Sequence, residues 1–219
     1  MKKRISLLGL ALCILLLAPL AAIGASPTFT DTEGHWAEDT IERFYEEGVI
    51  SGFPDGSFRP DQGISRAELA RIITRAFDLD EESAFTFSDV DPAAWYYGDL
   101  GFASRFIPNH QVTPGHFAGS ATAFRIDALR ALILVHLYTE NLAIDMPTPE
   151  EIAAYVRQNF RDRDYQYGNI NYPNVRILFE TTWLASFLGI FEPTPEGYLN
   201  PHWGLSRAEV LTVIERMRK

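Results

Sequence analysis

Three arginines stand at matched places in the chain: Arg66, Arg125 and Arg207 each follow a glycine by ten residues, at Gly56, Gly115 and Gly197. Two positions after each glycine comes a large apolar residue, Phe58, Phe117 or Leu199, and Trp36 and Trp95 precede the first two arginines by thirty. The chemistry open to such a set is recognition of an anion. A guanidinium offers a planar fork that takes a carboxylate bidentately, which an ammonium does not reproduce. At the start of a helix the unpaired backbone N–H groups are expected to converge with it on the same negative group. Trp36 and Trp95 add flat apolar faces beside an N–H donor.

Each arginine lies in a stretch that reads as helix, turn-rich loop, helix. In the first, Ala37, Ile41, Phe44 and Gly48 recur at helical spacing, and GFPDGSFRPDQG breaks the helix with a tight turn at Asp55-Gly56. A second helix begins at Ser65, where Ser65 and Glu68 form a capping box that Ser206 and Glu209 repeat. Its buried stripe is Leu69, Ile72, Ile73 and Ala76. The third stretch matches it with Val210, Val213, Ile214 and Met217, and the second with Leu129, Leu132, Ile133 and His136, which makes His136 a core histidine. Thr148-Pro149-Glu150-Glu151 predicts an additional short helix through Ile152, Tyr155 and Val156, and FRDRDYQYGNINYPN reads as an irregular insertion. A unit of about 50 residues buries little apolar surface alone. The three are therefore expected to share one core through their first helices, with the apolar stretch FETTWLASFLGIF at its centre. The fold class is mainly α.

Residues 1–25 read as a signal peptide: Lys2, Lys3 and Arg4, then an apolar run to Ile23, then small residues with cleavage after Ala25. An uncleaved membrane anchor is the competing reading. Loss of those three positive charges takes the net charge from −10 to −13, so neither nucleic acid nor an anionic membrane surface is an expected partner. Cys13, the single cysteine, excludes a disulfide framework and a thiolate zinc site.

The recurrence of Phe and Asp (Phe29 and Asp31, Phe87 and Asp89, Phe160 and Asp162), with HWA, GVISGFPDGSFRP and ISRAE in the first stretch, resembles the S-layer homology repeat. The first copy is a close match over 26–80, the second a diverged one over 85–140, and the third, over 160–219, close only from Gly189 onward; 141–159 connects them. The resemblance implies a pseudo-threefold, three-pronged module in which three helix-loop-helix repeats share a central helix bundle, with binding grooves between prongs. It implies noncovalent anchoring of an exported protein, in the cell envelope or periplasm, to a secondary cell-wall polysaccharide, often pyruvylated, or to modified peptidoglycan. The glycan-binding candidates are then Arg66, Arg125, Arg207, Trp36 and Trp95, with Asp31, Asp89 and Asp162, which could equally cap the turn into each first helix. An arginine at a helix start can also simply pair with a carboxylate of a neighbouring repeat.

Several residues depart from the pattern. In the second copy Phe124 replaces the capping Ser, Ile126 the Ala, Asp127 the Glu and Pro114 the Asp of PDG, and in the third Ile177 falls where Trp stands in the others. At least one groove is thus expected to be inactive, and avidity needs several grooves engaged together. The signal peptide and repeats account for the chain, so any anchored cargo or S-layer partner would be a separate protein. No nucleophile elbow, phosphate loop or HExxH motif points to an enzyme, and no cofactor is expected. His110 with His116, and Asp55 with Ser57 and Asp61, are poor metal patterns. The alternative function is an envelope scaffold whose diverged grooves bind a protein, presenting Tyr165, Tyr167 and Tyr172.

Overall fold

Seven α-helices form among the residues that the computed structural model describes, 29–107, 115–162, 164–165, 168 and 173–218. These are α1 (Glu38–Glu46), α2 (Arg66–Ala76), α3 (Tyr97–Ala103), α4 (Arg125–Thr139), α5 (Pro149–Asn159), α6 (Pro173–Phe187) and α7 (Arg207–Met217). The protein is mainly α, and only isolated bridges of β pairing join the described residues. The expected signal peptide, His110, Pro114, Tyr167 and Tyr172 lie outside the described residues.

The predicted capping boxes form at Ser65 with Glu68, Ser206 with Glu209 and Thr148 with Glu151. Phe124, the diverged N-cap of α4, offers no side-chain cap. A helix start left that way exposes amide donors to the interior, and here backbone from elsewhere in the chain takes them. At α2, Arg66 N–H donates to Ala121 C=O and Ala67 N–H to Gly119 C=O, each at 2.9 Å. At α4, the Arg125 and Ile126 amides go to the Trp203 and Pro201 carbonyls at 2.6 and 3.0 Å. At α7, the Arg207 and Ala208 amides go to the Gln62 and Pro60 carbonyls at 2.9 and 3.0 Å. The first stretch thus leans on the loop of the second, the second on the third, and the third on the first.

The residues just before these helices meet one another. Gly63 bridges Ser206, Ser65 bridges Thr122, and Phe124 bridges Gly204, over the fully buried Ile64, Ala123 and Leu205. Crowding there explains two glycines that no turn requires. A Cβ on Gly63 would lie 2.9 Å from the Thr122 methyl, and one on Gly204 only 2.7 Å from it.

The helices at the centre are the second of each pair, since α4 touches both α2 and α7. This corrects the expectation that the first helices share the core. Each first helix crosses to a neighbour: α1 packs on α7, α3 on α2 and α6 on α4. The apolar stretch in α6 is not a central helix but one covered on two faces, by α4 and by the additional helix α5. In α5, Ile152 and Val156 are buried while Tyr155 is exposed and meets Ser186 Oγ at 2.6 Å. His136 is half-buried rather than enclosed. Tyr165, expected as an exposed aromatic of the insertion, is fully buried, edge-on to Phe160 and Phe179, with its hydroxyl 2.6 Å from Thr182 Oγ1.

Room for one side chain at the junction yields a prediction. Gly204→Ala should destabilise the protein by about 1–3 kcal/mol, the range for overpacking. Adding Thr122→Gly should restore most of that loss, as read from midpoints of urea unfolding.

Candidate functional site

The start of α2, α4 and α7 is where sequence reasoning placed an anion between a guanidinium and free amides. The structure corrects this: the amides are bonded to carbonyls, and the arginines are largely inside. Arg66 is 1% and Arg207 4% exposed. Arg66 Nε donates to Phe117 C=O at 2.6 Å, and Arg207 Nε to Phe58 C=O at 2.9 Å. Burial pulls both guanidinium groups below their ordinary pKa, against the pull of Asp127 on Arg66 and of Glu68 on Arg207. Arg207 Nη1 pairs with Glu68, and Arg125 Nη2 with Glu209 Oε1 at 3.1 Å. Pairing with a carboxylate of a neighbouring stretch, the plainer of the two sequence readings, is what these two arginines do.

Glu68 and Glu209 therefore each serve twice. One carboxylate oxygen closes the capping box on its own helix, at 2.9 Å from Ser65 N and 2.7 Å from Ser206 N, while the other takes an arginine from another stretch. Arg125 is incomplete by comparison. Its Nε is buried with no partner among the described residues, whereas the same atom of Arg66 and Arg207 reaches a carbonyl.

The aspartates bind backbone rather than capping a first helix. Asp31 accepts from the Phe58 and Arg59 amides at 2.8 and 2.7 Å, Asp89 from Phe117 and Ala118 at 2.7 Å each, and Asp162 from Leu199 and Asn200 at 2.7 and 2.8 Å. The second donor residue of each pair holds a positive φ, 59° at Arg59, 53° at Ala118 and 55° at Asn200. That left-handed turn aims two successive amides at one carboxylate, a conformation L-residues adopt reluctantly. Of the weak metal patterns, Asp55 is engaged by Ser57 and Arg59 within its own turn, and Asp61 by His35 at 3.2 Å.

Trp36 and Trp95 are exposed, at 63% and 54%, so neither is core. Trp95 and Arg207 come together in a groove of about 550 Å³. Its floor and rim include Ile50, Gly52 and Phe53 from the first loop, Arg71 of α2, Trp95 ahead of α3 and Arg207 at the start of α7. All three stretches contribute. Phe53 lies under Arg207, 4.9 Å from guanidinium carbon to ring centre, and Gly52 is required because a Cβ there would strike the Phe29 ring at 2.3 Å. Arg207 lines this groove, and its Nη2 makes no hydrogen bond among the described residues. Trp36, Asp31, Asp89, Asp162 and the other two arginines do not line it.

Sequence reasoning missed Arg71 and Trp203. Arg71 lies five residues beyond Arg66, about 1.4 turns up the same helix and on a different face, so the spacing carried no signal for it. Trp203, 66% exposed, gives its carbonyl to the Arg125 amide; its place in the loop where Gln62 stands in the first stretch carried no signal.

The pattern of these residues has counterparts among known proteins. Residues 28–70, which hold Asp31, the Phe58 loop and the start of α2, match the S-layer homology domain. Residues 28–70 form an S-layer homology domain. Cell surface glycoprotein 1 of Acetivibrio thermocellus is 39% identical over 88 residues, which is 39% of this chain and 4% of that protein. Outer membrane protein SlpA of Deinococcus radiodurans is 45% identical over 83 residues, 36% of this chain and 7% of the relative. The cellulosome-anchoring protein of Acetivibrio thermocellus is 39% identical over 72 residues, 32% of this chain and 16% of the relative. The similarity thus covers a small part of each of these relatives. Among the described residues no helix is long and apolar enough to cross a membrane.

Acid should expose the part played by the aspartate clamp at Asp89. Burial raises the Asp89 carboxyl, but the amides of Phe117 and Ala118 outweigh it and hold the group below its ordinary value. Its stabilisation is therefore complete above the unfolded-state pKa and fades as pH falls through the lower folded one. Asp89→Asn should cost about 1.5–3 kcal/mol at neutral pH, the range for hydrogen bonds to a charged group, and should flatten the acid limb of a stability–pH curve measured by urea unfolding.

Proposed function

We propose that the protein attaches to the bacterial cell wall without covalent linkage, holding a wall glycan in the groove that contains Trp95 and Arg207. In this reading 26–80, 85–140 and 160–219 are three S-layer homology repeats in a pseudo-threefold array, and residues 1–25 direct export to the envelope. The observation that carries the reading is Arg207: a side chain held by Phe58 C=O and Glu68 that lines a groove flanked by an exposed tryptophan, with its Nη2 making no hydrogen bond among the described residues. A fixed donor of that kind suits a carboxylate or ketal acid, and the indole face suits the apolar side of a sugar ring. The names of relatives that share the domain, a cellulosome-anchoring protein and cell-surface proteins, support attachment at the cell surface. The net charge of −10 gives no general attraction for an anionic polymer, so recognition is local to the groove.

Co-sedimentation with purified cell-wall sacculi tests this directly. The protein should pellet with intact sacculi, lose most of that binding after mild acid stripping of the secondary polysaccharide, and bind at least about tenfold more weakly as Trp95→Ala, a loss equivalent to one stacking contact. Pelleting that survives stripping but still needs Trp95 would assign the ligand to modified peptidoglycan. Folded protein that stays in the supernatant with both preparations would end the reading.

A further inference from the structure

Three helix starts of one design can be compared atom by atom. At α2 and α7 a serine side chain caps the helix and closes a box with Glu68 or Glu209. The arginine that follows sends Nε to a carbonyl of another stretch, Arg66 to Phe117 and Arg207 to Phe58. Each guanidinium also lies over the aromatic ring of the residue it binds, at 5.1 and 4.5 Å. At α4 both ties are missing. Phe124 gives no side-chain cap, and Arg125 Nε is buried with no partner among the described residues. Leu199 stands where Phe58 and Phe117 stand, yet no bond joins Arg125 Nε to its carbonyl; the guanidinium lies 5.2 Å from the ring of Phe191.

What joins α4 to the third stretch is therefore narrower. Among the described residues it consists of the two amide bonds to the Trp203 and Pro201 carbonyls, the pair of Arg125 with Glu209 at 3.1 Å, the contacts of Phe124 with Gly204 and His202, and the packing of α6. The other two junctions carry further side-chain ties. Between the first and second stretches, Arg71 donates to Asp99 Oδ2 at 2.8 Å and to the Trp95 carbonyl at 2.6 Å, and Thr74 to the Asp99 carbonyl at 2.9 Å. Between the third and first, Thr40 and Arg43 hold Glu215, and Arg218 holds Glu47. A buried donor without an acceptor penalises the closed state alone, because water reaches the same donor once the contact opens. Opening is easiest where such a donor and an uncapped helix coincide.

We propose that the closed circuit of three stretches has one weak joint, the start of α4, and that it opens there, between the second stretch and the third, more often than at α2 or α7. The groove lies outside that joint. Arg71 meets Trp95 across the first and second stretches, and Arg207 meets Phe53 across the third and first. The groove thus stays assembled while the joint is open, whatever ligand it holds.

Native-state hydrogen exchange of the whole chain, followed by nuclear magnetic resonance, reads the six amides at the three helix starts separately. Those of Arg125 and Ile126 should be at least about tenfold less protected than those of Arg66, Ala67, Arg207 and Ala208, the effect of an unmet interior hydrogen bond and a missing cap. Lysine carries a methylene where arginine has Nε. Arg125→Lys therefore removes the stranded donor while keeping a cation for Glu209, and should raise protection at Ile126 by about fivefold. Arg66→Lys, which gives up a carbonyl bond, should lower protection at Ala67 by a similar factor. Ser65→Ala should bring the start of α2 toward the behaviour of α4 by removing its cap. One common protection factor for all six amides would mean that the circuit opens only as a whole, and would overturn the proposal. An Arg125→Lys variant that loses protection as Arg66→Lys does would overturn it as well.

Discussion

Six backbone amides, two at the start of each of α2, α4 and α7, depend on carbonyls from a different stretch of chain. Everything else in the architecture is arranged around that dependence. An α-helix cannot satisfy its own first amides, and burying them without partners would cost more than a surface helix end ever does. Here the loop that precedes one helix supplies the carbonyls for another, so each loop must hold a particular shape. The aspartates keep it: Asp31, Asp89 and Asp162 each collect two amides across a left-handed turn and thereby fix the loop whose carbonyls are then lent out. Three helix starts brought together also concentrate three positive dipole ends. Acidic third residues, Glu68, Asp127 and Glu209, offset them.

Within one stretch the chain was largely legible from its sequence. SRAE announces a capped helix, and the caps at Ser65 and Ser206 are where the motif places them. The stripes of α2 and α7 are buried as their spacing requires. Between stretches legibility fell away, because periodicity records which face of a helix is buried and nothing about what buries it. Arg207 and Glu68 are 139 residues apart in sequence, and no local pattern couples them. The same gap explains the inverted core: apolar first helices look central from their composition, yet they are covered from outside, α6 by α5. Tyr165 was misjudged for a related reason. A polar, aromatic, turn-rich segment reads as exposed unless its neighbours Phe160 and Phe179 are known to be close.

The site was legible in its residue types and not in their geometry. Arginine and tryptophan at fixed spacing do meet in a groove, but the pair that meets is Trp95 with Arg207, drawn from two different stretches onto the loop of a third. Spacing measured within a stretch could never find that pair. Arg71 escaped notice since its importance lies in what it touches, Asp99 and the face of Trp95, rather than in any motif. The Nε of Arg125, buried without a partner among the described residues, is a fault that no residue type in the sequence marked.

The closing contacts between the last stretch and the first give the molecule no ends in the sense that a stacked-repeat protein has them. A solenoid can fray from a terminal repeat while its middle persists, and each unit meets only its neighbours in sequence. Here α1 rests on α7, and Arg218 reaches Glu47 at 2.6 Å and the carbonyl of Ala76. A growing chain therefore cannot complete its first stretch until its final helix has been made. Such a topology favours all-or-none folding with a high share of distant contacts, which slows assembly and leaves few stable partial forms. Proteolytic trimming at either side of the closure is a loss for all three stretches at once.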